Sequence, residues 1–324
     1  MRARAFSIAA IAIAVLAWGS PARSAQPHWP ETLTLATASP GGTYDAYGAG
    51  LAKMLTRVLG IPVGMRPTEG PSENIRLIES GEVQLGFVTM GVALEAWNGT
   101  GDWTQGTQYR AMRAIFPMYD TPFHFLVPPD SAVRSLADVT GKRIGVGPQG
   151  GTAGLYVPRM LATLKIEAPL SYGSWEDLAA QLRARTLDVL AAAGGVPFPV
   201  VAALDAKGLV RSVSLAPEQI LALRLAMPEL TSSAIPAGTY PSLDRLYETV
   251  GLYNFAVAHK DLPTDLVYRI VAAVFANNEE MLEAHPAAAA TVPGNFVQNT
   301  FLPYHEGAIR YYDFSNVPGI LRGD

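Results

Sequence analysis

The run Ser39-Pro40-Gly41-Gly42-Thr43-Tyr44 constrains this chain most. A β-branched apolar stretch, Leu33 to Thr37, leads into it, and Tyr47, Leu51, Met54, Leu55 and Val58 follow at helical spacing. The order is strand, glycine turn, helix. Pro40 and the two glycines make a turn that residues bearing a Cβ would resist. The start of a helix brings N–H groups without partners and the positive end of the dipole. Thr43 and Tyr44 add hydroxyls at the same place. The result is a receptacle for a small anion with no catalytic group in it.

The unit recurs. Gly60 stops the first helix, Ile61 to Pro67 reads as a strand, and Ser72 as the cap of a helix over 73–80. Val83 to Thr89 is a third strand and Val92 to Trp97 a short helix. Tyr109–Met118 and Pro122–Val127 read as consecutive extended segments, a candidate crossover. The rhythm restarts after Asp130, with a strand over 142–146, a second glycine turn, Gly147-Pro-Gln-Gly-Gly-Thr152, and a helix over 155–165. A short strand at 169–173, Ser174-Trp-Glu-Asp177 as a capping box, a strand at 187–193, a turn at Gly194–Pro197 and a helix at 199–207 follow. After a strand at 210–215 and a helix at 217–226, residues 231–242 read as irregular. The strand-like run 249–258 is the return crossover. Pro263 opens a single long helix to Glu283, with Leu266, Ile270, Val274 and Leu282 on one face, and short helical pieces end near Tyr312. Alternating strands and helices of this length build open parallel sheets. The expectation is an α/β fold of two lobes joined by two crossovers, residues 26–119 plus 251–324 forming lobe I and 120–250 lobe II. Open α/β sheets bind ligands at the carboxyl ends of their strands, and ligands favour domain interfaces, so the two glycine turns should face each other across a cleft.

Residues 1–25 read as a secretory signal peptide: Arg2 and Arg4, an apolar run from Ala5 to Gly19, then small residues for cleavage near Ser24 or Ala25. The run is short of the roughly 20 apolar residues a comfortable span needs. Of the 324 residues, 49% are hydrophobic and 16% charged, enough for two packed lobes. Formal charge is −4, with no basic stripe, which argues against a nucleic-acid partner. There are no cysteines, so disulfides and thiol chemistry are excluded.

Gly145-Val-Gly147-Pro-Gln-Gly150 is literally G-x-G-x-x-G between a strand and a helix. Pro148 inside the turn, the prolonged loop and the absence of an acidic residue at the end of a second strand weigh against a dinucleotide. His28, His124, His259, His285 and His305 show no metal spacing, and G-x-S-x-G is absent. Neither a catalytic residue nor a metal or cofactor site is expected. Of the aromatics near strand ends, Tyr44, Tyr156 and Phe198 flank the glycine-rich turns and are candidate pocket wall.

Several motifs occur in order: Ser39-Pro-Gly-Gly-Thr-Tyr44, Thr68-x-Gly70-x-x-x-Asn74, Glu79-Ser-Gly-Glu82, Leu136-x-x-x-x-Gly141-Lys-Arg143, Gly195-Val-Pro197, Ile235-Pro-Ala-Gly-Thr-Tyr-Pro241 and His305-x-Gly-Ala-x-x-Tyr-Tyr312. Together they resemble the TAXI substrate-binding subunits of tripartite ATP-independent periplasmic (TRAP) transporters. The resemblance implies a fold like the type II periplasmic binding proteins and a receptor that closes on a small organic acid, a dicarboxylate or glutamate-like. It also implies a TRAP membrane permease as partner, a periplasmic location and a monomer. Three positions depart from the family's pattern: Gly70-Pro71 and Gly150-Gly151, where Gly-Ser is common, and Gly91, where aspartate is common. Each removes a polar side chain from the expected rim. The expected ligand contacts are Gly42, Thr43, Tyr44, Ser72, Asn74 and Thr89 from one lobe, with Ser72 replacing the lost serine, and Gln149, Gly151, Thr152 and Phe198 from the other. Arg66, Arg76 and Arg110 are candidate cationic clamps. A receptor feeding a sensor kinase and an exported hydrolase remain as alternatives.

Overall fold

The computed structural model describes residues 26–315; the expected signal peptide lies outside the described residues. The chain forms a mixed α/β fold around one ten-stranded sheet. The first part runs β1 (Leu33–Ala36), α1 (Thr43–Leu59), β2 (Val63–Arg66), α2 (Pro71–Glu79), β3 (Leu85–Thr89) and α3 (Met90–Asn98). β1 pairs in parallel with both β2 and β3. α1 ends where Gly60 turns to φ 73°, a left-handed cap that suits glycine.

A single 16-residue strand, β4 (Met112–Val127), then carries the chain across the molecule. The second part follows as β5 (Ile144–Gly145), α4 (Thr152–Thr163), β6 (Leu170–Ser171), α5 (Trp175–Arg183), β7 (Val189–Ala193), α6 (Pro199–Asp205), β8 (Arg211–Ser212) and α7 (Pro217–Ala226). β9 (Thr231–Ile235) and β10 (Tyr247–His259) bring the chain back, and α8 (Thr264–Ala276), α9 (Asn278–Ala284) and α10 (Glu306–Phe314) complete it.

β4 and β10 hold the two halves of the sheet together. They pair antiparallel from Met112–His259 to Pro122–Gly251. Beyond that point β4 takes β7 as its partner, from Phe123 onward. β10 changes partner at the same level, pairing with β3 over Asn254–Ala258 and with β9 over Tyr247–Gly251.

Several elements depart from the sequence reading for physical reasons. β4 is one strand, not two, because the residues between the expected segments pair with β10, Asp120 opposite Tyr253 and Thr121 opposite Leu252, so the ladder runs through. Residues 231–235 are not irregular: their small polar side chains form an edge strand that β10 organises. The long helix expected from Pro263 to Glu283 is two helices, broken at Asn277, whose φ of −121° is not helical. The break rephases the apolar stripe, so Met281 is buried and Leu282 is exposed. Ser72 does not cap α2; Gly70 does, with Pro71 in the first turn, where its missing N–H is harmless.

Candidate functional site

The site is built from strand ends and helix starts. β1 and β3 run parallel in one half and β5 and β7 in the other, and the turns after β1 and β5 lead into α1 and α4. Between the halves lies a small cavity of about 50 Å³. One side is lined by Ala38, Ser39, Gly42, Thr43, Tyr44 and the Glu69–Pro71 turn. Val146, Pro148, Gly151, Thr152, Ala153, Trp175 and Phe198 line the other. Thr121 and Asn254, on the crossover strands, also border it. The first-turn N–H groups of α1 and α4 have no acceptor within their helices, and both turns border the cavity from opposite halves.

Direct bonds join the two halves near this cavity. The Thr43 hydroxyl donates to the Gly195 carbonyl at 2.7 Å. The Ser72 hydroxyl donates to the Gly150 carbonyl at 3.1 Å, and the Gly150 N–H donates to the Glu69 carboxylate at 3.2 Å. The Thr89 and Thr152 hydroxyls meet at 3.3 Å. The Val200 N–H donates to the Gly41 carbonyl at 3.3 Å. Backbone meets backbone at Gly70, where a Cβ would stand 2.8 Å from the Gly151 Cα. Farther out, Arg159 of α4 pairs with Glu95 of α3. Burial pushes the Glu95 carboxyl up, opposed by bonds from the Trp103 indole and Arg159.

The wall opposite α1 is aromatic. Trp175 and Phe198 pack edge to face, 5.1 Å between ring centres. The glycine turn receives them: the position of a Gly42 Cβ lies 3.6 Å from the Trp175 indole nitrogen and 3.9 Å from the Phe198 ring. A buried relay holds Phe198. Its N–H donates to the Tyr240 hydroxyl at 2.8 Å, leaving the tyrosine proton for His124 Nε2 at 2.9 Å. His124 Nδ1–H then donates to the Pro122 carbonyl at 3.0 Å. Burial pushes the His124 pKa down to about 4, which keeps the imidazole neutral as this relay requires.

Six of the ten residues expected from sequence line the cavity: Gly42, Thr43, Tyr44, Gly151, Thr152 and Phe198. The polar side chains among them are largely committed. Thr43 fastens the halves together, and the Tyr44 hydroxyl donates to Asn254 Oδ1 at 2.6 Å. Asn74 lies behind the wall, its amide donating to the Thr37 and Phe87 carbonyls and its oxygen accepting from Thr68. Thr89 stands behind Thr152. Ser72 and Gln149 line a different space, an open polar groove of about 850 Å³ along α2, α3 and α4. That groove is larger, but its cations are already engaged: Arg76 donates to the Trp103 carbonyl and Arg159 to Glu95 and Glu229.

Tyr156 is not pocket wall. It is a buried residue of α4, and its hydroxyl donates to Glu229 at 3.0 Å. The same ring explains Gly91, where an added Cβ would meet the Tyr156 oxygen at 2.2 Å. The candidate clamps lie elsewhere: Arg66 pairs with Glu82, and Arg110 stacks 4.1 Å over Trp97.

Sequence reasoning missed Ser39, Thr121, Trp175 and Asn254. Asn254 carried a usable signal, a polar amide within the apolar run Leu252–Ala258. Its amide donates to the Tyr119 carbonyl and the Thr121 hydroxyl, both at 2.6 Å. Ser39 borders the cavity with a buried hydroxyl that has no partner.

Residues 35–313 match the NMT1-like family. Among solved structures, the chain resembles a periplasmic transporter and the periplasmic binding protein BugD. Each match has 14% identity and a TM-score of 0.56, and covers 90% of this chain and 95% of the other. At that identity the likeness establishes the fold: mixed α/β with a central sheet, of the type II periplasmic-binding-protein kind.

Proposed function

This chain belongs to the NMT1-like family, and on that premise we propose that it is a solute-binding receptor. It captures a small organic acid in the cavity between its halves and hands it, unchanged, to a TRAP-type membrane permease. The observation that carries the reading is the pair of helix starts, α1 and α4, bordering one cavity from opposite halves. Each contributes donors and about half a positive charge. The two structural relatives, by name a periplasmic transporter and a periplasmic binding protein, support the role. The motifs shared with TAXI subunits support the TRAP assignment and a periplasmic location. Among the described residues, no helix is long and apolar enough to cross a membrane.

In this reading the lobes are 26–119 with the chain from 251 onward, and 120–250, hinged where β4 and β10 change partners. Only the closed form brings the α1 and α4 donors to one ligand, so binding shifts the open–closed balance, and the permease reads the closed form. The ligand carboxylate rests on the Gly42–Tyr44 and Gly151–Ala153 turns. Ser39 supplies its spare hydroxyl, and Trp175 and Phe198 cover the apolar end.

A thermal-shift screen against small carboxylates tests this. A ligand at a hundred times its Kd adds about 2.7 kcal/mol to native stability. A saturable rise in melting temperature, with the acid recovered chemically intact, is expected. Turnover of the acid, or no shift with any small carboxylate, overturns the proposal.

A further inference from the structure

The cavity has one charged residue in its lining, and it is an acid at the exposed rim. Glu69 borders the cavity; no arginine, lysine or histidine does, among the described residues that line it. The positive potential comes from two helix starts, α1 and α4, at about half a charge each. Together they match one carboxylate. Resting on the receptor reading above, we infer that the ligand carries a single carboxylate and that a second anionic group is excluded.

Three observations converge. The first is charge: a second carboxylate would find no cation in the lining, and the one charged residue there, Glu69, is an acid. Glu69 stands at the solvent-exposed rim, where its carboxylate accepts from the Gly150 N–H of the other half at 3.2 Å and also borders the outer groove. The second is size. A cavity of about 50 Å³ is far below the few hundred Å³ of larger ligand sites. Thr43, in its wall, is bonded across to the Gly195 carbonyl of the other half at 2.7 Å, a bond that a longer ligand would have to break. The third is the character of the remaining wall. The rest of the lining includes Trp175, Phe198, Val146 and Ala193, which suit a short apolar end and offer no donor array for another anion. The ligand class is therefore a compact acid with one carboxylate and a short chain, either a keto acid or an amino acid of that size.

Calorimetry on the chain lacking residues 1–25, with pyruvate, L-alanine, succinate and 2-oxoglutarate, tests the inference. Pyruvate or L-alanine should bind, and both dicarboxylates should be weaker by roughly tenfold to a hundredfold. That is the scale of a charged group enclosed with no partner of its own. Whichever of the two monocarboxylates is tighter distinguishes a keto acid from an amino acid, and either result supports the single-carboxylate site. Glu69→Gln keeps an acceptor for Gly150 and removes the charge; it should narrow the gap by strengthening the dicarboxylates. A dicarboxylate that binds most tightly to the unmodified protein overturns the inference and leaves the receptor reading intact. So does a gap that Glu69→Gln does not move. Binding by none of the four, with no thermal shift from any other small acid, removes the receptor reading along with it.

Discussion

Gly70→Ala perturbs closure at one point, and its size can be worked from the contacts. Gly70 has φ +135°, which side-chain-bearing residues rarely adopt, and its added Cβ would stand 2.8 Å from the Gly151 Cα. Strain of that backbone kind costs about 1–3 kcal/mol and is present whether the halves are open or shut. The clash exists only when they are shut. Carbon atoms rest about 3.5–4.0 Å apart, so the halves must part by roughly 1 Å. The Ser72–Gly150 and Gly150–Glu69 bonds, at 3.1 and 3.2 Å, then pass out of bonding range. At about 0.5–1.5 kcal/mol each, their loss weakens the closed form by about 1–3 kcal/mol. That is roughly a 5- to 150-fold loss of ligand affinity. Gly81→Ala is the control: φ +75° gives strain, but no atom lies within 4 Å of the added Cβ. Both variants should lower the urea midpoint, while Gly70→Ala alone should weaken binding of the best acid by calorimetry and enlarge the radius of gyration in scattering. Unchanged affinity in Gly70→Ala would refute the link between this contact and closure.

Other perturbations separate binding from stability. Ser39→Ala removes a buried hydroxyl that bonds to nothing in the protein, so the melting temperature should hold or rise slightly while ligand affinity falls several-fold. Equal affinity in that variant would take Ser39 out of the site. Arg159→Ala cuts the outer bond between α4 and Glu95; with Arg159 half-exposed, the expected loss is about 1–2 kcal/mol, between exposed and buried pairs. It should appear as faster ligand release in stopped-flow, and an unchanged release rate would show that the pair does not hold the halves shut. His124 titrates near 4 in the folded chain against 6.5 in the unfolded one, so the unfolded state binds the extra proton between those values. Its contribution is fully present above pH 6.5 and is lost as the pH falls toward 4, about 3 kcal/mol in all. Urea midpoints across that window should fall more steeply for the unmodified chain than for His124→Gln; parallel curves would contradict the neutral relay to Phe198.

How much of this was legible in the sequence depends on whether the cause was local. α1, its glycine cap and the turn at Ser39–Tyr44 follow from apolar spacing and glycine alone, and the structure places them at 43–59 with Gly60 left-handed. β9 was not legible, because Thr231–Ile235 owes its extension to pairing with β10, not to its own composition. The break at Asn277 was hidden by an apolar stripe that a continuous helix also fits. In the site, the glycine turns announced Gly42, Gly151 and their neighbours. Nothing near Ser72 or Thr43 in sequence shows that each hydroxyl is spent on a carbonyl of the other half. Asn254 and Trp175 reach the cavity only through the crossover topology and the packing of the second half against the first.

The most direct measurement is a crystal structure of the protein grown with its tightest small acid. The carboxylate should appear between the Gly42–Tyr44 and Gly151–Ala153 turns, with the Ser39 hydroxyl within bonding distance and the acid intact. An acid found instead in the open groove beside Gln149 and Arg159, with the inner cavity empty, would contradict the claim that two helix starts hold the ligand.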